Sequence, residues 1–191
     1  MNRRALLLML LIFGLLSVIA ILQSQPAANP TLDDLRATAT ALGTPIFTQV
    51  FPGLAVLDIQ AIRLRNPDAD RALTITRAEN DVWTIPNNEA GVSLDADTAS
   101  TIARTIVLLH YQRTLPLPED GDLTGYGFNP SGILFVEVLL KTGEGHVVAV
   151  GALSGQRTTY YALVDDRQEI YLLERAPVDF LITQLAHPPL T

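Results

Sequence analysis

The chain contains no cysteine. That one absence removes disulfide staples, thiolate nucleophiles, cysteine-bound zinc and lipid attachment through an N-terminal cysteine, so packing alone must hold the fold. Lysine occurs once, as Lys141, and the arginines are scattered along the chain without clustering. With Arg3 and Arg4 set aside, eleven basic residues face twenty acidic ones, a net charge of −9. Such a surface repels phosphate backbones, and nucleic acid is not expected among the partners. No phosphate-binding loop, zinc-protease helix or dinucleotide fingerprint is present either.

What the sequence does hold is one long apolar run. Residues 5–22, from Ala5 to Leu22, carry no charge; as a helix they span roughly 27 Å of the ~30 Å hydrocarbon core. Arg3 and Arg4 precede the run and the first charges after it are Asp33 and Asp34, so the positive-inside bias places residues 1–4 in the cytoplasm and the body outside the cell membrane. The lipid bilayer is thus the first expected partner. A cleaved signal peptide is the competing reading, but the apolar run is longer than the usual h-region and Val18 and Ala20 make a poor cleavage site. The 48% hydrophobic composition is inflated by this segment, and the rest reads as a packed domain behind a tether.

Residues 23–54 read as that tether, with Pro26 and Pro30 stiffening its start and a short helix opening at Thr31 and closing at Gly43. Residues 55–114 then read as strands over Val56–Leu64, Leu73–Thr76 and Val82–Ile85, followed by a helix from about Asp95 to His110. The Pro-rich acidic stretch Leu115–Asp120 marks the expected internal boundary. Residues 115–191 read as strands near Ile133–Leu140, His146–Val150, Thr159–Val164 and Glu169–Leu173, closed by a helix near Pro177–Leu185. The expected fold class is therefore α+β: two antiparallel meanders, each followed by a packing helix, as two similar halves behind one N-terminal transmembrane helix.

No set of residues forms a recognisable catalytic, cofactor or metal site. His110, His146 and His187 lack ligand spacing, and a helix end accounts for His110. Asp165-Asp166 and Glu119–Asp122 fit no calcium loop, and Gly151–Gly155 reads as a hairpin loop rather than a nucleophile elbow. The residues that stand out are Tyr126-Gly127-Phe128-Asn129-Pro130 and the pair Tyr160-Tyr161. In the first, Gly127 permits positive φ, Asn129 before proline is held extended, and the two aromatics can plug a core. In the second, adjacent residues on a strand face opposite ways, so one ring enters the core and the other is left for a partner.

Leu123 with Tyr126–Pro130, a strand, a glycine-rich hairpin, Val150-Gly151, Thr159-Tyr160-Tyr161 and Glu169-Ile170-Tyr171-Leu172 follow one another in an order that resembles domain-of-unknown-function family 4340. Phe128 stands where leucine is usual in the family. The resemblance implies a membrane-anchored extracytoplasmic body, accessory to an ABC-type transport or envelope system with a membrane-protein partner, and it carries no catalytic residue or cofactor. The expected function is a non-enzymatic interaction module. An envelope hydrolase or small-ligand-binding protein whose site assembles only in three dimensions is the alternative.

Overall fold

The computed structural model describes residues 48–86 and 94–190. Contacts divide the chain into Met1–Thr44 and Pro45–Thr191, and every described residue belongs to the second unit. The anchor expected at 5–22 and the short helix expected from Thr31 lie outside the described residues. Among the described residues, no helix is long and apolar enough to cross a membrane.

Nine strands form one antiparallel sheet. They are β1 (Thr48–Gln49), β2 (Ile59–Asn66), β3 (Arg71–Arg77), β4 (Trp83–Thr84), β5 (His110–Pro116), β6 (Leu134–Leu140), β7 (Gly145–Leu153), β8 (Thr159–Val164) and β9 (Glu169–Glu174), in the spatial order β1-β5-β9-β8-β7-β6-β2-β3-β4. Among the described residues two α-helices accompany them, α1 (Ala96–Val107) and α2 (Arg175–Ala186). This corrects the expected α+β arrangement of two similar halves behind a transmembrane helix. The segments before and after residue 115 share a single sheet, because β2 pairs with β6 and β5 pairs with β9.

Four further corrections are local. The helix expected to reach His110 ends at Val107, where the Leu108 amide donates back to Arg104, and His110 opens β5 opposite Gln49; no helix end is needed to explain that histidine. Leu115 and Pro116, placed in a boundary loop, finish β5 against Ile170 and Glu169. Residues 151–153, placed in a hairpin loop, continue β7. Residues 48–51, assigned to the tether, supply β1 and the buried Val50 and Phe51.

Alternation decides which face of the sheet is inside. Ile62 and Leu64, Leu73 and Ile75, Leu134, Val136 and Val138, Val148 and Val150, and Ala162 and Val164 are buried at every second position. Helix α2 lays Val178, Leu181 and Leu185 onto this face at spacings of three and four. It touches β2 and β3 as well as β8 and β9. In a flat sheet β3 and β9 would stand five strand spacings apart, about 24 Å, whereas a helix is only ~10–12 Å across. The sheet must curl around α2, and the right-handed twist of strands supplies the curvature. Helix α1 buries Ala99, Ile102, Ala103 and Ile106 against β4, α2 and the 3-10 turn Val56–Asp58.

One arginine occupies an inward position. Arg77 follows Leu73 and Ile75 in phase, and its side chain is 6% exposed. Its guanidinium donates to the carbonyls of Ile59, Asp81 and Val56 at 3.0, 2.9 and 3.0 Å and lies 4.3 Å from the Trp83 ring centroid. One buried guanidinium thereby ties the start of β2, the 3-10 turn before it and the β3–β4 turn together, with its own donors satisfied by carbonyls. The Asp81 carboxylate in turn takes a hydrogen bond from Lys141 Nζ at 2.7 Å, which holds it below the usual carboxylate range.

The helix is fastened by a similar contact. Tyr160 Oη donates to Asp179 Oδ1 of α2 at 2.7 Å, while Arg175 Nε donates to Oδ2 at 2.8 Å. Burial, with the neighbouring carboxylate, pushes the Tyr160 phenol up to about 12.

Replacing Arg77 by methionine removes all three hydrogen bonds and is expected to cost about 2–4 kcal/mol in denaturant unfolding. Lysine does not rescue it, since one ammonium can neither fork to three acceptors nor stack on Trp83 as a plane. The Tyr160 contact carries a pH signature. An unfolded phenol ionises near 10, below the folded value, so the contribution is complete below about pH 10 and is lost between about 10 and 12 as the unfolded chain releases its proton first. The melting-temperature gap between the native chain and Tyr160→Phe is therefore expected to close over that interval.

Candidate functional site

The outer face of the sheet carries a break in regular pairing on both sides of one residue pair. Tyr161 of β8 stands opposite Leu172 of β9. Beyond Leu172, the β5–β9 register shifts by one residue between Tyr111 and Thr114, so Gln112 and Arg113 together oppose Leu172. Beyond Tyr161, the β7–β8 register shifts by one between Val150 and Leu153, so Gly151 and Ala152 together oppose Tyr161. A bulge re-aims the side chains of its strand and steepens local twist, and here two bulges flank a common floor.

That floor opens into a cavity of about 430 Å³, lined by Gln112, Arg113, Gln156, Tyr161 and Leu172 with the Ser154–Thr159 corner. Ser154 and Thr159 are buried and spend their hydroxyls on each other at 2.9 Å. The Ser154 amide bonds the Thr159 carbonyl and the Arg157 amide bonds the Ser154 carbonyl, each at 2.8 Å, which fixes the β7–β8 turn as a wall. By contrast, the rim groups Gln112, Arg113 and Gln156 make no hydrogen bond or ion pair to another described side chain or carbonyl. Among the described residues, no carboxylate and no imidazole lines the cavity.

The residues singled out by sequence meet at this place in part. The 3-10 turn Thr124–Tyr126 ends at Gly127, whose φ is 84°. Gly127 lies against the backbone and Cβ of Ala152, and Gly151 lies under the Tyr126 carbonyl and the Phe128 ring. The segment Tyr126–Phe128 is thus pressed onto the β7 bulge, with contacts too close for a side chain at either glycine. Tyr126 meets the Tyr161 ring edge to face, at 5.0 Å and 87°. Asn129 and Pro130 carry the chain on toward β6 through a cis peptide bond. Tyr160, on the opposite face, belongs to the α2 contact.

A second hollow, of about 440 Å³, lies at the far end of β6 and β7, lined by Phe51, Leu54, Asp58, Lys141, Thr142, His146 and Arg167 among others. Its polar groups are already engaged. Lys141 is bound to Asp81, and His146 Nδ1 meets Asp165 Oδ2 at 3.0 Å with its ring 4.8 Å from that of Phe51. Arg167 donates to the Val50 carbonyl and to Tyr171 Oη, both at 3.3 Å. Asp165 also takes the Val147 amide at 2.8 Å, so this acid serves the β7–β8 register.

The chain matches no family model, no curated protein and no solved structure.

The other candidates stand apart from both hollows. In the Glu119–Asp122 stretch, Asp120 Oδ1 takes the Asp122 amide at 3.0 Å and Asp122 Oδ1 takes the Thr124 amide at 2.9 Å. The Thr124 hydrogen bonds hold the Asp122 carboxyl below its ordinary value, and each acid closes a local turn. Among the described residues, no three histidines or acids gather to hold a metal ion. The sequence reading missed Gln112, Arg113 and Gln156, since nothing in a residue string marks where a strand takes an extra residue. Arg77 did leave a sign: it continues the inward phase of Leu73 and Ile75.

The glycine contact between loop and bulge can be tested directly. Gly151→Ala drives a methyl into the Tyr126 carbonyl and to 2.9 Å from the Phe128 ring, an overpacking worth about 1–3 kcal/mol. Limited proteolysis is expected to cut the loop of residues 117–133 faster in that variant. Gly155→Ala, with open space at its Cβ, should stay within about 0.5 kcal/mol of the native chain.

Proposed function

We propose that this chain is a membrane-tethered binding module, held by residues 5–22 with its body on the extracytoplasmic side, and that the Tyr161–Leu172 cavity is where it binds. The observation that carries the reading is the state of the polar groups. Around that cavity the side chains of Gln112, Arg113 and Gln156 are uncommitted and only the Ser154 and Thr159 hydroxyls are spent on each other, whereas around the His146 hollow the charged groups and the imidazole are engaged within the protein. A wall of amides, a guanidinium and a phenol, without an acid or imidazole among the described residues, suits recognition better than proton transfer. A volume of about 430 Å³ falls in the range of small-ligand sites. The apolar run and the resemblance to domain-of-unknown-function family 4340 support an auxiliary place beside an ABC-type transporter or an envelope assembly.

One observation favours a second reading, a hydrolase. His146 is held by Asp165, and Thr142 lines the same hollow, an arrangement of hydroxyl, imidazole and carboxylate types that nucleophilic catalysis uses. Turnover of ester or amide substrates by the purified chain that disappears in His146→Ala would replace the binding reading.

Crosslinking and pull-down of the full chain from native membranes is the first test. Transport or envelope subunits are expected among the captured proteins, and their yield is expected to fall in Tyr161→Ala while the melting temperature changes by only a few degrees. Repeated recovery of the chain alone would contradict a module that works beside a membrane partner. Extraction from membranes by alkaline carbonate without detergent would remove the tether.

A further inference from the structure

Resting on the binding reading above, we infer that the Tyr161–Leu172 cavity takes an uncharged saccharide unit. Sugars present two kinds of surface: hydroxyls around the rim of the ring, which both donate and accept, and C–H groups on its faces. Groups that suit the first are planar side chains with paired donors or donor–acceptor forks. Groups that suit the second are aromatic rings held at a fixed angle.

The cavity lining holds both kinds of group. Gln112 and Gln156 each bring a carbonyl acceptor and two N–H donors, and Arg113 brings a fork of donors. The β5 bulge sets Gln112 and Arg113 together on one side of the Tyr161–Leu172 floor. Gln156 stands opposite them on the β7–β8 turn. The edge-to-face contact with Tyr126 fixes the Tyr161 ring, so little side-chain freedom is lost on binding.

Charge narrows the class. Among the described residues Arg113 is the only charged one in the wall, and it sits on a body of net charge −9 outside the anchor. That field opposes polyanions such as phosphorylated or sulfated ligands. With no carboxylate among the described lining residues, none of them is placed to receive an ammonium, so amines and free amino acids lack a counter-ion among them.

The test uses the full chain in detergent micelles, with saturation-transfer NMR and calorimetry against cellobiose, maltose and N-acetylglucosamine. Binding of at least one of these is expected. It should weaken about tenfold in Gln112→Ala and in Gln156→Ala, the scale of one aromatic or hydrogen-bond anchor. It should weaken as much in Tyr161→Ala and less than threefold in Tyr161→Phe, which keeps the ring. The two glutamine variants touch only the rim, so an unchanged melting temperature separates lost binding from lost folding. Free amino acids and dipeptides are run as a second panel. If one of those binds through Gln112 and Gln156 and no sugar does, the saccharide inference is overturned while the binding site stands. If neither panel binds, or if binding ignores all three positions, both are overturned.

Discussion

The curl of the sheet around α2 governs the rest of the molecule. A single helix twelve residues long is touched by strands that a flat sheet would keep far apart, and it can be so only because nine strands bend over it. Once bent, the sheet has a continuous apolar inner face and an outer face where regular pairing is interrupted. Its inner face is closed by Val178, Leu181 and Leu185. At the end nearest β4, where pairing is short, Arg77 ties the start of β2 to the β3–β4 turn through its hydrogen bonds.

The outer face owes its character to the same bend. Curvature in a sheet is concentrated at bulges, and two of them fall on either side of Tyr161 and Leu172. A regular ladder would have sent Gln112 and Arg113 to opposite faces, one of them into the core. The bulge puts both on the cavity wall. On the other flank, Gly151 in the second bulge leaves room for the Tyr126 carbonyl and the Phe128 ring, so the loop before β6 seats itself and steadies Tyr161. Bending and site are one feature of the backbone seen from two sides.

Much of the strand content could be seen in the residues. Leu134, Val136, Val138 and Leu140 alternate in plain view, as do Leu73 and Ile75. Strand β5 could not be seen, because His-Tyr-Gln-Arg-Thr-Leu-Pro shows no apolar alternation and ends in proline. A two-residue strand such as β1 carries almost no periodic signal at all. The union of the two expected halves was hidden for a different reason. Pairing of β2 with β6 and of β5 with β9 joins segments separated by 50 residues or more along the chain, and alternation reports which face a strand buries, not which strand lies beside it. Of the site, the Tyr126–Pro130 segment and the tyrosine pair were noticeable from composition and turn chemistry, while Gln112, Arg113 and Gln156 depend on bulge positions and a hairpin wall that only pairing reveals.

The place of α2 in the chain also bears on how the molecule is made. It follows all nine strands, yet it is the object around which they bend, and β5 must wait for β9 before it has a neighbour longer than two residues. Contacts of such long sequence separation close slowly, because the entropy of the intervening chain is spent before they form. During synthesis the early strands leave the ribosome with their apolar faces and edges uncovered, and no stable core exists until the helix arrives. A chain with this order of assembly depends on whatever shields nascent β-strands from one another, and that dependence is greater for it than for a bundle of the same length whose partners are sequence neighbours.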